Sequence, residues 1–326
     1  MVVALGRIGD LVLVTPILRA LRRLERRPEV HFLAGTHNHH VLTGHPGIDH
    51  LLIYPDRPLA TLPLMGQLRR QHYDLWIDPK DHHSHTGRLL VRAAGPARSV
   101  GYNGDQRGVT NKSGCFTHDI PGHVQSCDRH ATERALAALA AAGLPALDPQ
   151  PWMVATVEAD QRFAQFRLEH HLAGYAVVNI SARRPERSWA TDNWMALLRG
   201  PGLRDLPVVI CALPCDRAAA ERLAASRGRA FHYPTQTSGD LLSVLRDAML
   251  LVTADTCLVH IASAFNTPIV ALYANNPAQY PKYRPLSRHC RTVMEAGLNS
   301  PVADIPQRAV EQSLCSLREQ ITSDAG

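Results

Sequence analysis

Three stretches of the chain combine glycine, carboxylate, hydroxyl and guanidinium groups at spacings that can hold a charged ligand. The first is Gly6-Arg7-Ile8-Gly9-Asp10. Its glycines permit a sharp turn and close approach by a ligand, and Asp10 supplies a carboxylate able to accept a proton. The same carboxylate is equally suited to cap the helix that follows. The second stretch runs Asn179-Ile180-Ser181-Ala182-Arg183-Arg184-Pro185-Glu186-Arg187-Ser188-Trp189. Ser181 with Arg183, Arg184 and Arg187 suits a diphosphate, because a guanidinium fork pairs bidentately with its oxygens. A solvated basic loop would have the same composition. The third is Thr253-Ala254-Asp255-Thr256-Cys257-Leu258-Val259-His260. Asp255, Thr256 and Cys257 fall where a helix begins, and free N–H groups and the helix dipole favour an anion there. Capping explains Asp255 or Thr256 taken singly, and a hydrogen-bonded, partly buried ring explains His260. Together with the arginine loop they favour a phosphate site.

Other chemistries fit less well. No dinucleotide GxGxxG follows the first strand of either half, and no Gly-Lys-Ser/Thr ending marks a Walker loop. Histidines crowd the first half at His37, His39, His40 and His45, then His82, His83 and His85. They lack the paired cysteines and recurrent spacings of structural zinc sites, as do Cys211 and Cys215, so no metal site is predicted. The chain contains no Asp-x-Asp pair. Many nucleotide-sugar enzymes hold a cation on the diphosphate with that pair. Its absence beside an arginine loop points to neutralisation by protein groups, with no cofactor.

Elements must place these stretches at strand ends. Strands are predicted at Met1–Leu5, Val30–Leu33, Leu51–Tyr54 and Tyr73–Ile77, with helices at Pro16–Arg27, Gly87–Ala94 and Thr132–Ala142. A proline-containing connection at Leu144–Trp152 follows. The alternation then restarts, with strands at Tyr175–Ile180, Pro207–Ala212, Leu250–Thr253 and Pro268–Tyr273. Helices fall between them at Thr191–Leu198, Arg217–Ser226, Ser238–Ala248 and Thr256–Ala264. Strands alternating with helices imply parallel sheets. The expectation is an α/β chain of two Rossmann-like domains, 1–150 and 151–326, with parallel sheets facing across a cleft.

A length of 326 residues and 45% hydrophobic content are ordinary for a globular chain of that size. No run approaches a membrane span, and Met1–Leu5 is too short for a signal-peptide core, so a soluble cytoplasmic protein is expected. Seven cysteines in a long chain do not resemble a disulfide framework. The net charge is +6, and the run Arg19, Arg22, Arg23, Arg26, Arg27 suits a phosphate-bearing partner or an anionic membrane surface, unless it is a solvated face. Nucleic acid is disfavoured, since few aromatic residues interleave with the basic ones and no binding motif appears.

The opening Gly9-Asp10-Leu11-Val12-Leu13-Val14-Thr15-Pro16, with Leu18 and Leu21-Arg22, resembles the start of glycosyltransferase family 9, the ADP-heptose:lipopolysaccharide heptosyltransferases. Tyr73 to Asp78 with Ser99-Val100-Gly101-Tyr102 is similar to that family's first domain, and the two later stretches resemble its donor site. The resemblance covers nearly the whole chain in order. It implies a GT-B fold and inverting, metal-independent transfer of heptose from ADP-heptose to a lipopolysaccharide core acceptor. By the same resemblance Asp10 is the general base and Arg187, Asp255, Thr256 and His260 are donor-site residues; Ser181, Arg183, Arg184 and Cys257 join them as candidates from their place in the same two stretches. Gly9, Lys80 and His82 are the candidate acceptor contacts. Two departures stand out. Cys257 replaces the family's usual glycine, and Asp78-Pro79-Lys80-Asp81-His82-His83 replaces its Asp-Leu-Gln-Gly. The alternatives are a UDP- or GDP-sugar or a protein acceptor on the same fold, an NAD-dependent oxidoreductase, and a non-catalytic nucleotide-binding protein.

Overall fold

The computed structural model describes residues 1–80, 82–104, 114–120, 129–146 and 148–325. The chain divides into two units, Met1–Val154 and Ala155–Gly326. In the first, β1 (Val2–Ala4) leads through α1 (Ile8–Val12) and α2 (Pro16–Arg22) to β2 (His31–Gly35) and β3 (His50–Tyr54). Then come α3 (Thr61–Arg70), β4 (Leu75–Ile77), α4 (His85–Ala94), β5 (Arg98–Gly101), β6 (His118–Asp119) and α5 (Ala131–Ala141). The second unit runs α6 (Val157–Glu169), β7 (Ala176–Asn179), α7 (Thr191–Arg199), β8 (Val208–Cys211), α8 (Arg217–Ala225), β9 (Ala230–His232) and α9 (Asp240–Arg246). It closes with β10 (Leu250–Ala254), α10 (Cys257–Phe265), β11 (Ile269–Leu272), α11 (Tyr280–Tyr283), β12 (Cys290–Val293) and α12 (Gln307–Ala325).

The sheets are ordered β3-β2-β1-β4-β5-β6 and β12-β11-β10-β7-β8-β9. Numbered from each unit's first strand, both read 3-2-1-4-5-6, and every pairing is parallel. In this doubly wound order the chain reverses direction across the sheet between the first and fourth strands, and ligands bind outside the carboxyl ends there. Those places are β1/β4 and β7/β10. The three motif stretches leave β1, β7 and β10, and Asp78 to His83 leaves β4.

Burial explains the strand sequences. Val177, Val178, Val208 to Ile210, Leu251, Val252 and Ile269 to Leu272 are fully buried, as parallel strands covered on both faces must be. Sequence reading had not assigned α12, although Val310, Leu314 and Leu317 lie fully buried at helical spacing. Neither were α3, α6 or the short strands β5, β6, β9 and β12. These strands have only two to four residues, too few to show a clear period. The helix expected over Pro16–Arg27 stops at Arg22, whose guanidinium reaches the Pro28 carbonyl and Asp49. Arg19 likewise pairs with Asp148. Two members of the basic run are therefore occupied internally, whereas Arg23, Arg26 and Arg27 are exposed.

Helix α10 is held in place by α9, which packs against both α10 and α6. In the first turn of α9, Asp240 is fully buried and accepts from the Gln236 and Thr237 N–H groups at 2.6 and 3.0 Å, and from Arg162 of α6. Asp240→Ala removes every one of those partners at once. It should lower stability by about 3 kcal/mol, seen as a lower urea midpoint at unchanged m-value.

Candidate functional site

One buried amide ties the ends of β7 and β10 together. Asn179 Nδ2 donates to Thr253 Oγ1 at 2.9 Å and to the Ser181 carbonyl at 3.0 Å, with Thr256 Oγ1 at 3.4 Å. Thr256, extended at φ −135°, is the N-cap of α10 and accepts from the Leu258 N–H at 3.3 Å. The amino end of α10 is thereby fixed at the carboxyl edge of the sheet, where its dipole favours an anion. Ser181 is buried and its hydroxyl is occupied: it donates to Asp216 at 2.6 Å and accepts from the Leu213 N–H at 2.8 Å. Its side chain braces the loop after β8, and the hydroxyl's one proton is already donated.

The arginine loop is pinned at its far end by Trp189, whose buried Nε1 donates to the Ile305 carbonyl at 2.9 Å. Arg187 reaches across to the β10 end. Its Nη1 lies 2.9 Å from Asp255 Oδ2 and 3.2 Å from the Asp255 carbonyl. Burial raises the Asp255 carboxyl, and Arg187 and then Arg184 oppose that shift. Nη2 and Nε of Arg187 have no partner among the described residues, so the guanidinium keeps donors for an oxyanion. Arg184 is exposed with Glu186 3.5 Å away, and Arg183 is exposed as well. Cys257 is the first residue of α10 and is not among the non-glycine residues with positive φ. Replacing glycine therefore costs no backbone strain here. Burial pushes its thiol up to about 11, so the thiol itself adds no negative charge there. His260 is buried one turn into α10, with its ring 6.1 Å from that of Tyr283.

In the first unit, Asp10 belongs to the first turn of α1 and accepts from the Arg7 N–H at 3.1 Å through Oδ2. It is both a cap and an exposed carboxylate, because Oδ1 has no partner among the described residues. A methyl group on Gly6 would lie 2.8 Å from Oδ2, so the glycine makes room for the turn. Gly9 is the residue just before Asp10 in α1. Lys80 and His82 follow the neighbouring strand β4 and are exposed; Asp81 lies outside the described residues.

Residues 62–308 match the family model described as glycosyltransferase family 9 (heptosyltransferase). The chain belongs to glycosyltransferase family 9. It is 27% identical over 286 residues to lipopolysaccharide heptosyltransferase 3 of Escherichia coli K12, covering 81% of this chain and 79% of that protein. The crystal structure of a glycosyl transferase family 9 protein from Veillonella parvula superposes with TM-score 0.81 at 17% identity, covering 98% and 96% of the two chains. E. coli ADP-heptose lps heptosyltransferase II gives 0.77 at 20%, covering 98% of each. The fold is thus GT-B, and the protein is a glycosyltransferase.

Within this family member, sequence reading missed two buried polar groups at the strand ends. Asn179 was quoted in its loop but given no part, and its signal was a polar residue closing an otherwise apolar strand. Asp78 carried the same signal after Leu75-Trp76-Ile77. It is buried, accepts from the Lys80 N–H at 3.3 Å, and packs so tightly on α4 that a methyl group on Gly87 would overlap Oδ2. Burial raises its carboxyl to about 6, with Lys80 and His82 opposing. The folded state therefore holds this proton more tightly than the unfolded chain, where aspartate titrates near ~3.9. Stability falls as pH rises from about 4 to 6, and the penalty is complete above that window. Asp78→Asn should gain on the native protein across that range, by about 3 kcal/mol at most. Urea unfolding at pH 4 and pH 7 checks it; a gap that stays constant contradicts the buried carboxyl.

Proposed function

We propose that the chain is an inverting heptosyltransferase that moves heptose from ADP-heptose to a lipopolysaccharide core acceptor, with no metal ion on the diphosphate. The observation that carries this reading is the Arg187 guanidinium, held against Asp255 beside the amino end of α10 with donors to spare. The names of the E. coli relatives supply donor and acceptor class, and the missing Asp-x-Asp pair supports neutralisation by arginine. The first unit then serves the acceptor and the second the donor.

The acceptor hydroxyl oxygen attacks the anomeric carbon opposite the leaving group, so configuration inverts. The bond from that carbon to the diphosphate oxygen breaks, the hydroxyl proton passes to Asp10, and ADP leaves with the bonding pair. Arg187, Arg183 or Arg184, and the α10 dipole stabilise the charge on ADP. Asp10→Asn should lower kcat about 10²- to 10⁴-fold while ADP binding persists; full turnover in this variant removes Asp10 as the base. ADP should raise the melting temperature selectively over UDP, GDP and NAD, and Arg187→Ala should weaken that response. A selective response to UDP or GDP would keep the fold and replace the donor.

A lipid-borne acceptor requires work at a membrane surface, and no described helix is long and apolar enough to cross one. Leu59 is 83% and Leu62 64% exposed, beside exposed Arg57, Arg69 and Arg70 on and before α3. We read this face as a peripheral contact with the anionic cytoplasmic surface of the inner membrane. Co-sedimentation with vesicles containing phosphatidylglycerol should fall sharply in the double variant Leu59→Glu and Leu62→Glu, and binding equal to the native protein would discard this contact.

A further inference from the structure

At the opposite end of the first sheet from the Gly6–Asp10 turn, the amino ends of β2 and β3 hold a second cluster. His31 opens β2, His50 opens β3, and the sheet pairs them in register. The two are far apart in sequence, so no spacing motif announces them. Glu29 reaches both: its Oε1 lies 3.2 Å from His31 Nε2 and 2.9 Å from His50 Nε2. One ligand atom of each of the three residues lies within 4.8 Å of the others. His31 is buried, and its second ring nitrogen, Nδ1, lies 3.0 Å from the hydroxyl of buried Tyr73. Glu29 and His50 are exposed and leave the cluster open to solvent.

We propose that Glu29, His31 and His50 form a binding site for a divalent transition-metal ion of the zinc class, separate from the transfer site. Two imidazoles and one carboxylate are a ligand set for zinc or copper rather than for magnesium or calcium. Zinc bonds of about 2.0–2.2 Å imply ligand–ligand edges of roughly 3.4 Å in a tetrahedron. The two distances to Glu29 need only a few tenths of an ångström of opening. Three protein ligands leave a fourth position for water.

Tyr73 does what an outer-shell partner must do. When His31 donates its Nδ1 proton to the Tyr73 oxygen, the lone pair of Nε2 points toward Glu29 and the ion. Binding selects the tautomer with its proton on Nδ1, facing Tyr73, and leaves Nε2 free to ligate. Because β3 is the edge of the sheet, an ion bridging its first residue to β2 would pin that edge. The histidine runs noted in the sequence do not supply this set. The His39 and His40 rings lie 3.8 Å apart, tilted, and His83 lies 3.5 Å from His85, but neither pair is grouped with a third ligand among the described residues.

The test is Zn²⁺ titration of the full chain after EDTA treatment, read by competition with a chromophoric chelator, with Co²⁺ absorption reporting four-coordination. One equivalent should bind and raise the melting temperature. His50→Ala and Glu29→Gln, both at exposed positions, should abolish that stoichiometric binding yet leave the ADP response intact. Tyr73→Phe should bind about 10- to 100-fold more weakly, an effect that a purely packing role for Tyr73 would not give. The double variant His83→Ala, His85→Ala should bind as the native protein does. Absent stoichiometric binding, or binding undiminished in both His50→Ala and Glu29→Gln, overturns the proposal. So does binding lost in the double variant.

Discussion

A single amide, that of Asn179, decides whether the second unit can offer a ligand site. It sits buried at the end of β7, where the chain leaves the sheet in one direction while β10 leaves it in the other. A doubly wound sheet opens a crevice at that place, and an opening lined with unpaired strand-end groups would be costly. The Asn179 Nδ2 group satisfies the Thr253 hydroxyl and the Ser181 carbonyl together and sits beside the capping hydroxyl of α10. Strand end, arginine loop and helix terminus thus share one small buried network, and such networks are rigid when every member is paired.

Charge is arranged around that network by the same logic. Asp255 is mostly buried, and a buried carboxylate needs a partner. Arg187 provides it through Nη1 alone, which fixes the guanidinium in space without exhausting it. Trp189 anchors the loop that carries the arginine, so its position does not depend on the exposed Arg183 and Arg184. The first unit repeats the topology with different chemistry. There the strand after the reversal ends in Asp78, closed over by the glycine of α4, and the strand before it ends in a turn that presents Asp10 to solvent. Burial keeps one carboxyl protonated up to about pH 6, and a glycine makes room for the other.

Cys257 shows how a departure from a family's usual residue is judged. Cysteine in place of glycine is costly only where the backbone must take a positive φ. The residue proves to be ordinary helix, and its thiol is too buried to ionise near neutral pH. Ser181 shows the reverse. Its type suggested a ligand contact, and here its one proton goes to Asp216 while it accepts from the Leu213 N–H.

The sequence by itself determined the alternation of strands and helices, and with it two parallel sheets. Hydrophobic runs bounded by glycine and proline are local signals, and parallel strands demand crossovers. The order of the three charged stretches was legible for the same reason, since each directly follows an apolar strand. The edge strands β6, β9 and β12 were not legible, because two to four residues carry little period and no charged motif follows to mark their ends. Tertiary structure alone decided which side chains are free. Whether Arg187 is ion-paired, whether Asp78 is buried, and that His31 stands beside His50 all depend on contacts between segments far apart in the chain. Such pairings are set by sheet register and packing, which no local spacing encodes.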